Sequence, residues 1–505
     1  MNQIKDLTTG NIFSQIIKLA IPIIATSFVQ MAYNMTDLAW LGHVGSATVS
    51  AVGMALYLVW LGSSLMFIPK IGAEVGISQS IGKKNLKDAQ AYAKNAFSIS
   101  IIIACVFALG IWIFAQPIIN SFNIETASVN ATAINYLRIV AIGMPFTFSN
   151  ITMAGIYTGT GNTRIPFLIN VIGLVMNMIL DPILIFGWMG IPAMGAKGAA
   201  IATVSSQIIV FLIFIYYLHF RQNPLNIKNY FGKIQKQYIS PILKVGGPVA
   251  LQSVCFAFLA MVLARVMNDI AAGDSIPFAV QSIGAQIEAL SWMTASGFST
   301  ALGTFTGQNF GARQWGRIQK GFFITLGIAG FIGLISTLLF FFAGKQIFGL
   351  FLANNETEVV HFGIVYLIIL SFSQIFMCIE ITATGAFNGI GRAIPPAIVG
   401  IVGNVLRIPF AFLFSYTLID YLPTFQDWIQ ADSVLVTGVW WGITLSSILK
   451  GSVLFLWFLV LLYQHPENEY SLPFQRFWIR LIPSRLRQSP IIINPLENEE
   501  IKTRT

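Results

Sequence analysis

The chain has 505 residues, of which 55% are apolar and only 10% charged, with 29 Lys and Arg against 20 Asp and Glu. A soluble chain carries about 25% charged residues, and the mean hydropathy of +0.73 extends over far more chain than one buried core absorbs. Disordered, collagenous, nucleic-acid-binding and disulfide-scaffold classes are thereby excluded, leaving a polytopic helical membrane protein whose apolar surface faces lipid.

Residues 1–10 are polar and lack a cleavable signal pattern. Apolar runs then fall at 13–41, 51–78, 95–116, 131–158, 165–188 and 199–220. They resume at 241–268, 277–307, 321–344, 359–388, 394–418 and 434–463. A spanning helix takes about 20 apolar residues, so this pattern predicts about twelve spans. The connectors alternate in charge. One set holds only Lys197 and Lys345; the other holds twelve Lys and Arg, from Lys83 and Arg164 to Arg317 and Arg392. The positive-inside rule then places both termini in the cytoplasm. Cys105, Cys255 and Cys378 lie in apolar runs without CxxC spacing and read as small core residues. Beyond Gln464, the segment Phe474–Arg487 alternates apolar residues with arginines, as an amphipathic segment on an anionic leaflet or a solvated basic tail would.

The two halves of the chain resemble each other. Pro22 matches Pro248, each preceded by Ile-x-Lys-x. Gln79, Gly82, Lys84 and Gln90 match Gln308, Gly311, Arg313 and Gln319 at an offset of 229. Gly155, Gly159, Gly161, Pro166 and Gly173 recur as Gly385, Gly389, Gly391, Pro396 and Gly403 at 230, and Thr203 as Thr444 at 241. Six spans separate the copies, so both have the same orientation, as in a parallel duplication. The expected architecture is an all-α membrane protein of two pseudo-symmetric six-helix lobes around a central cleft. Its parts are an N-lobe (1–220), a cytoplasmic linker (221–240), a C-lobe (241–464) and a cytoplasmic tail (465–505).

An ionisable residue within a span costs at least about 2.5–3.5 kcal/mol, which makes each one a functional candidate. Asp37 lies about 36 Å along the first span at 1.5 Å per residue, in the outer half. Asn177 and Asp181 share one face of the fifth span, with Asp181 about 25 Å along it. Ala199 and Thr203 open the sixth span from the outside. These residues share one depth and form a hard oxygen set suited to Na⁺ at Asp37, Asn177 and Asp181, or to a proton. The bland alternative is a polar network tying three helices together. The C-terminal copy has Leu263, Arg407 and Ala411 in place of the three, which favours the ion reading over structural glue.

Glu288, Glu380 and Arg407 lie in the eighth, tenth and eleventh spans, as substrate-cavity candidates for bulky cations beside aromatic faces, or as an internal ion pair of Arg407 with one of the acids. Lys70 with Glu74, and Arg265 with Asp269, are spaced i, i+4 and read as pairs that neutralise one another. Arg138 and Lys450 are assigned no role. The four histidines fall at span ends, and no phosphate loop, HExxH or GxSxG is present, so neither an enzyme nor an ATP-driven pump is expected.

With these residues identified, the chain resembles the multidrug and toxic compound extrusion (MATE) family of cation-coupled antiporters, from about Thr8 to Gln464. The likeness rests on the two parallel lobes, the Gln308–Arg313 and Gly155–Thr163 blocks, and the outer-half acidic site. Asp37, fifteen residues after Pro22, looks like the family's first-helix acid, and Pro22 like its hinge. Asn177, Asp181, Ala199 and Thr203 match its N-lobe cation site. The seventh-helix acid of some branches is missing, and Glu380 lies about one turn from their tenth-helix acid.

The resemblance implies a monomeric antiporter in a bacterial inner membrane, exporting drug-like cationic amphipaths by alternating access. Its partners would be a small organic substrate and membrane lipid, without nucleic acid or cofactor, Na⁺ or H⁺ serving as coupling ion. Rival readings are a lipid-linked precursor flippase of the same superfamily, disfavoured by the twelve spans and acidic cavity candidates but kept open by Arg265 and Arg407, a membrane-embedded enzyme, and a passive channel.

Overall fold

In lipid every backbone N–H and C=O needs a partner within its own segment, so each apolar run winds into a helix. The computed structural model describes residues 4–121, 126–221, 225, 227, 234–271, 273–274, 276–349, 357–418 and 434–463. The N-terminal half contains α1 (Ile12–Val44), α2 (Ser46–Gly82), α3 (Leu86–Asn120), α4 (Ala127–Gly159), α5 (Arg164–Phe186) and α6 (Ala196–Tyr216). The C-terminal half contains α7 (Lys236–Ile270), α8 (Ile276–Gly311), α9 (Trp315–Phe342), the short α10 (Gly344–Gly349), α11 (Thr357–Ser371), α12 (Gln374–Gly389), α13 (Ile394–Phe412) and α14 (Val434–Tyr463). The segment Phe474–Arg487 and half of the linker lie outside the described residues.

Ten of these helices are long and apolar enough to cross a membrane, and α11 with α12 makes an eleventh span, bent by 52°. The remaining long helix, α8, has 36 residues, and its apolar run is interrupted by Gln281, Gln286 and Glu288. The tenth span is therefore broken where the sequence predicted one run. Hydroxyls take up carbonyls at the break: Ser371 and Ser373 donate to Ile368 and Leu370, and Thr337 donates to the Ser371 carbonyl at 2.8 Å. Its N-lobe counterpart, α4, is one 33-residue helix containing Pro145.

Helices overrun their apolar runs on the basic-loop side. α3 starts nine residues ahead of its apolar run, and Asn85 caps it, its side chain accepting from the Asp88 amide at 3.2 Å. The duplication extends to the backbone. Gly161 and Gly391 both turn at φ +81°, and Lys84 and Arg313 sit at φ +57° and +58°. The first two positions need glycine, since a Cβ strains a left-handed residue.

Each lobe buries two large apolar clusters, one toward each membrane face, and helix halves are exchanged between lobes. The outer part of α1 contributes Leu41 to the N-lobe cluster around Phe148 and Ile185. Its inner part places Ile16, Leu19 and Ala20 in the C-lobe cluster around Phe305 and Phe322. Conversely, Ile242 of α7 belongs to the N-lobe cluster around Phe97 and Phe214. Pro22 is buried where α1 passes from one lobe to the other; α1 stays helical through it, and Thr26 donates to its carbonyl at 2.8 Å.

These exchanges close the lobes against each other at the basic-loop end. Gly82 packs on the Gln308 main chain, Gly311 packs on that of Gln79, and Gln79 Nε2 donates to the Gly389 carbonyl at 2.9 Å.

Candidate functional site

The outer half of the N-lobe assembles a pocket of oxygens from α1, α5 and α6. Asp181 is fully buried, and Asn177 Nδ2 donates to its Oδ1 at 3.3 Å, one helical turn away on α5. The Asp37 carboxyl of α1 faces that of Asp181. Thr203 on α6 faces the Tyr33 hydroxyl, one turn before Asp37, and Ala199 is buried one turn before Thr203. Tyr136 of α4, also buried, lies within electrostatic range of both carboxyls.

Five buried oxygens here have no hydrogen-bond partner: Tyr33 Oη, Asp37 Oδ1, Asn177 Oδ1, Asp181 Oδ2 and Thr203 Oγ1. Buried polar atoms are rarely left this way, and five in one pocket set it apart from the rest of the lobe. Two carboxylates with neutral oxygens suit a small hard cation or a shared proton. Among the described residues no three His, Cys, Asp or Glu side chains cluster, so neutral oxygens must complete any coordination. The structure thus places Asp37, Asn177, Asp181 and Thr203 around one pocket, with Ala199 a turn before Thr203, and adds Tyr33 and Tyr136. Tyr33 was legible, being i−4 to Asp37 on the same helix face. Tyr136 carried no local signal.

The C-lobe candidates form a different network. Glu288 accepts from Gln374 Nε2 at 3.0 Å and Tyr366 Oη at 3.3 Å. Arg407 donates to Ser446 at 2.9 Å and Ser447 at 3.4 Å. The alternative reading, an ion pair of Arg407 with Glu380 or Glu288, does not form within 4.0 Å. Instead Lys450, given no role above, pairs with Glu380 at 3.1 Å and donates to Asn404 at 3.2 Å. Lys450 takes the acid because α14 faces α12 directly, and the sequence placed the two on different spans with no spacing to relate them.

An apolar cavity of about 490 Å³ opens between α2, α7 and α13. Tyr57, Trp60, Cys255, Phe258 and Met261 line it, and none of the three charged candidates does. Glu288, Glu380 and Arg407 lie instead within the packed C-lobe.

Lys70 and Glu74 do not pair within 4.0 Å either. Glu74, 4% exposed, crosses to α8 and accepts from Thr304 at 3.2 Å, while Lys70 lies over the Phe67 ring at 5.7 Å. Gly303, its counterpart at an offset of 229, leaves the room for this reach. Arg265 does pair with Asp269, at 3.8 Å and largely exposed. Arg138 lies over the Trp112 ring at 5.6 Å.

Duplicated bundles of membrane-crossing helices, sealed at one end and holding an acidic oxygen pocket in one lobe, are the architecture of a two-lobed membrane transporter. The chain belongs to the MatE family, whose profile matches residues 22–183 and again 248–413. It is 27% identical over 453 residues to a probable multidrug resistance protein NorM of Thermotoga maritima, covering 88% of this chain and 92% of that one. It is 25% identical over 421 residues to the probable multidrug resistance protein YoeA of Bacillus subtilis, covering 82% and 89%. Among solved structures, a MATE transporter in complex with MaL6 superposes with a TM-score of 0.81 at 23% identity, covering 90% of this chain and 97% of that one. An outward-facing multidrug resistance MATE transporter superposes at 0.78, with the same identity and coverage.

Proposed function

We propose that this transporter is a secondary antiporter that exports drug-like cationic amphipaths in exchange for Na⁺ or H⁺ by alternating access. Asp37, Asn177, Asp181, Ala199 and Thr203 form its coupling-ion site, with Tyr33 supplying a further oxygen. The observation that carries this reading is the set of five unpartnered buried oxygens from α1, α5 and α6. The relatives named for multidrug resistance support the substrate class.

An ion shifts a conformational equilibrium only by its differential affinity for the two states. Here the differential arises because Asp37 and Tyr33 belong to α1, whose inner half is packed in the opposite lobe. A cation or proton between Asp37 and Asp181 removes the repulsion of two facing carboxylates and draws the outer part of α1 onto α5 and α6. Pro22 lacks the N–H that the Lys18 carbonyl would otherwise take, so bending is cheapest there. The apolar cavity between α2, α7 and α13 accommodates the hydrophobic body of a substrate, and Trp60 and Tyr57 offer faces to a cation. The flippase reading has little support: Arg265 is exposed beside Asp269 and Arg407 lies inside the C-lobe. On the positive-inside rule the sealed end faces the cytoplasm, in a bacterial inner membrane.

The test is ethidium efflux from proteoliposomes under separately imposed Na⁺ and H⁺ gradients, with wild type and Asp181→Asn side by side. One gradient should drive efflux and the substitution should abolish it. If neither gradient moves ethidium in the wild type, multidrug antiport is wrong.

A further inference from the structure

The seal at the basic-loop end is made by more than the helices. Residues 5–11, ahead of α1, run between the inner ends of both lobes. On the N-lobe side the Lys5 amide donates to the Thr160 carbonyl at 3.0 Å. On the C-lobe side the Leu7 amide donates to Gln308 Oε1 at 2.9 Å, and the Leu7 side chain is 2% exposed within the C-lobe cluster.

Arg317, in the first turns of α9, binds this strap with its whole guanidinium. Nη2 donates to the Leu7 carbonyl at 3.0 Å and to Gln15 Oε1 at 3.2 Å, and Nη1 donates to the Gly10 carbonyl at 3.0 Å. Nε donates to Asn309 Oδ1 at 3.0 Å, and Asn309 itself donates to the Leu7 carbonyl at 3.1 Å. The group also lies over the Phe305 ring at 5.6 Å. A planar five-donor fork is needed for this set; an ammonium reaches at most part of it.

The other lobe repeats the arrangement. At an offset of 229 the counterparts of Arg317 and Gln319 are Asp88 and Gln90. Asp88 accepts from Tyr238 Oη at 2.8 Å, and Gln90 donates to the Leu225 carbonyl at 2.7 Å. Asn95 accepts from the Gln235 amide at 2.7 Å. Thus the segment leading into α1 is held by the C-lobe, and the segment leading into α7 is held by the N-lobe.

We propose that Arg317 and the strap Lys5–Asn11 form a latch that must release before the basic-loop end opens, with Asp88 and the linker as its counterpart in the other lobe. Arg317 is a positioning residue, since it touches neither ion nor substrate. The proposal rests on the alternating-access reading above. Separating the lobes at this end parts the strap either from the N-lobe at the Lys5–Thr160 hydrogen bond or from the C-lobe at Gln308 and Arg317. The bridge that Arg317 anchors therefore spans both lobes only in the sealed state.

The experiment is electron–electron double resonance on the full-length chain. Its three cysteines are replaced by alanine, and spin labels are placed at Lys87 and Arg313, exposed positions on opposite lobes. Arg317→Ala should raise the population of the longer, open-end distance by about tenfold or more, since hydrogen bonds to a charged group are the strong ones. Arg317→Lys should resemble the alanine variant, because the fork and not the charge makes the latch. A chain lacking residues 1–9 removes the strap with Arg317 in place and should shift the population in the same direction. If Na⁺, acid or ethidium moves the wild-type distribution while folded Arg317→Ala and the truncated chain retain it, the latch is overturned and alternating access stands. A distribution that no ion, substrate or variant moves overturns both.

Discussion

Single oxygens can be removed from the N-lobe pocket to learn what each contributes. Asp181→Asn keeps the volume and removes a charge, and gradient-driven efflux should fall to the level of empty liposomes. Tyr33→Phe removes one neutral oxygen and leaves both carboxyls. The driving-ion concentration for half-maximal efflux should then rise by about tenfold, the effect of one lost polar contact. Backbone geometry gives a second residue-scale expectation. Gly161→Ala and Gly391→Ala each place a Cβ at φ +81°, and each should cost about 1–2 kcal/mol in detergent-solubilised stability, measured by thermal unfolding. Gly161→Ala should cost the more of the two, since its Cβ would also press on the Lys5 main-chain oxygen at 3.3 Å, whereas at Gly391 it meets only the end of the Gln79 side chain. Most of the pocket was legible because i, i+4 spacing within α1, α5 and α6 fixes which side chains share a face. That Asp37 meets Asp181 was inferred only from equal depth along separate helices.

Elements decide the fate of the C-lobe charges. Lys450 and Glu380 sit on α14 and α12 and are both more than 90% buried as residues. Breaking one partner leaves an unpaired buried charge, so Lys450→Met should destabilise the protein by about 3–5 kcal/mol. Replacing both, as Lys450→Met with Glu380→Gln, should recover most of that loss in the same thermal unfolding measurement. The sequence could not supply this pair, because helix–helix facing depends on rotation and crossing of α12 and α14, which no spacing encodes. The strap carries its own pH expectation. Hydrogen bonds from Thr8, first through its hydroxyl at 2.6 Å, hold the Asp6 carboxyl below the usual carboxylate range. A depressed pKa contributes stability above the unfolded value of about 3.9 and loses it as pH falls through the folded one. Hydrogen exchange at the Thr8 amide should therefore stay protected from neutral pH down to about pH 4 and quicken only below that.

At the scale of the whole molecule the two lobes are alike in backbone and different in charge. Asn177, Thr203 and Tyr136 have Arg407, Thr444 and Tyr366 as counterparts, and only the N-lobe set is left with open oxygens. Coupling should therefore be one-sided. Glu288→Gln should leave the ion concentration dependence of efflux within about twofold of wild type, since its partners Gln374 and Tyr366 remain. A larger shift would place ion coupling in the C-lobe as well.

The sequence by itself determined the membrane environment, the order of the apolar runs that become helices, the duplication, and the polar faces of α1, α5 and α6. These follow from composition, hydropathy period and repeat, which are local or statistical properties of the chain. Only the tertiary structure decided that Lys450 rather than Arg407 pairs with Glu380, that Glu74 reaches Thr304, and that each lobe holds the segment entering the other. Those outcomes depend on which helix faces pack together across hundreds of residues of separation, where the close approach permitted by glycines such as Gly82, Gly303 and Gly311 selects the partner.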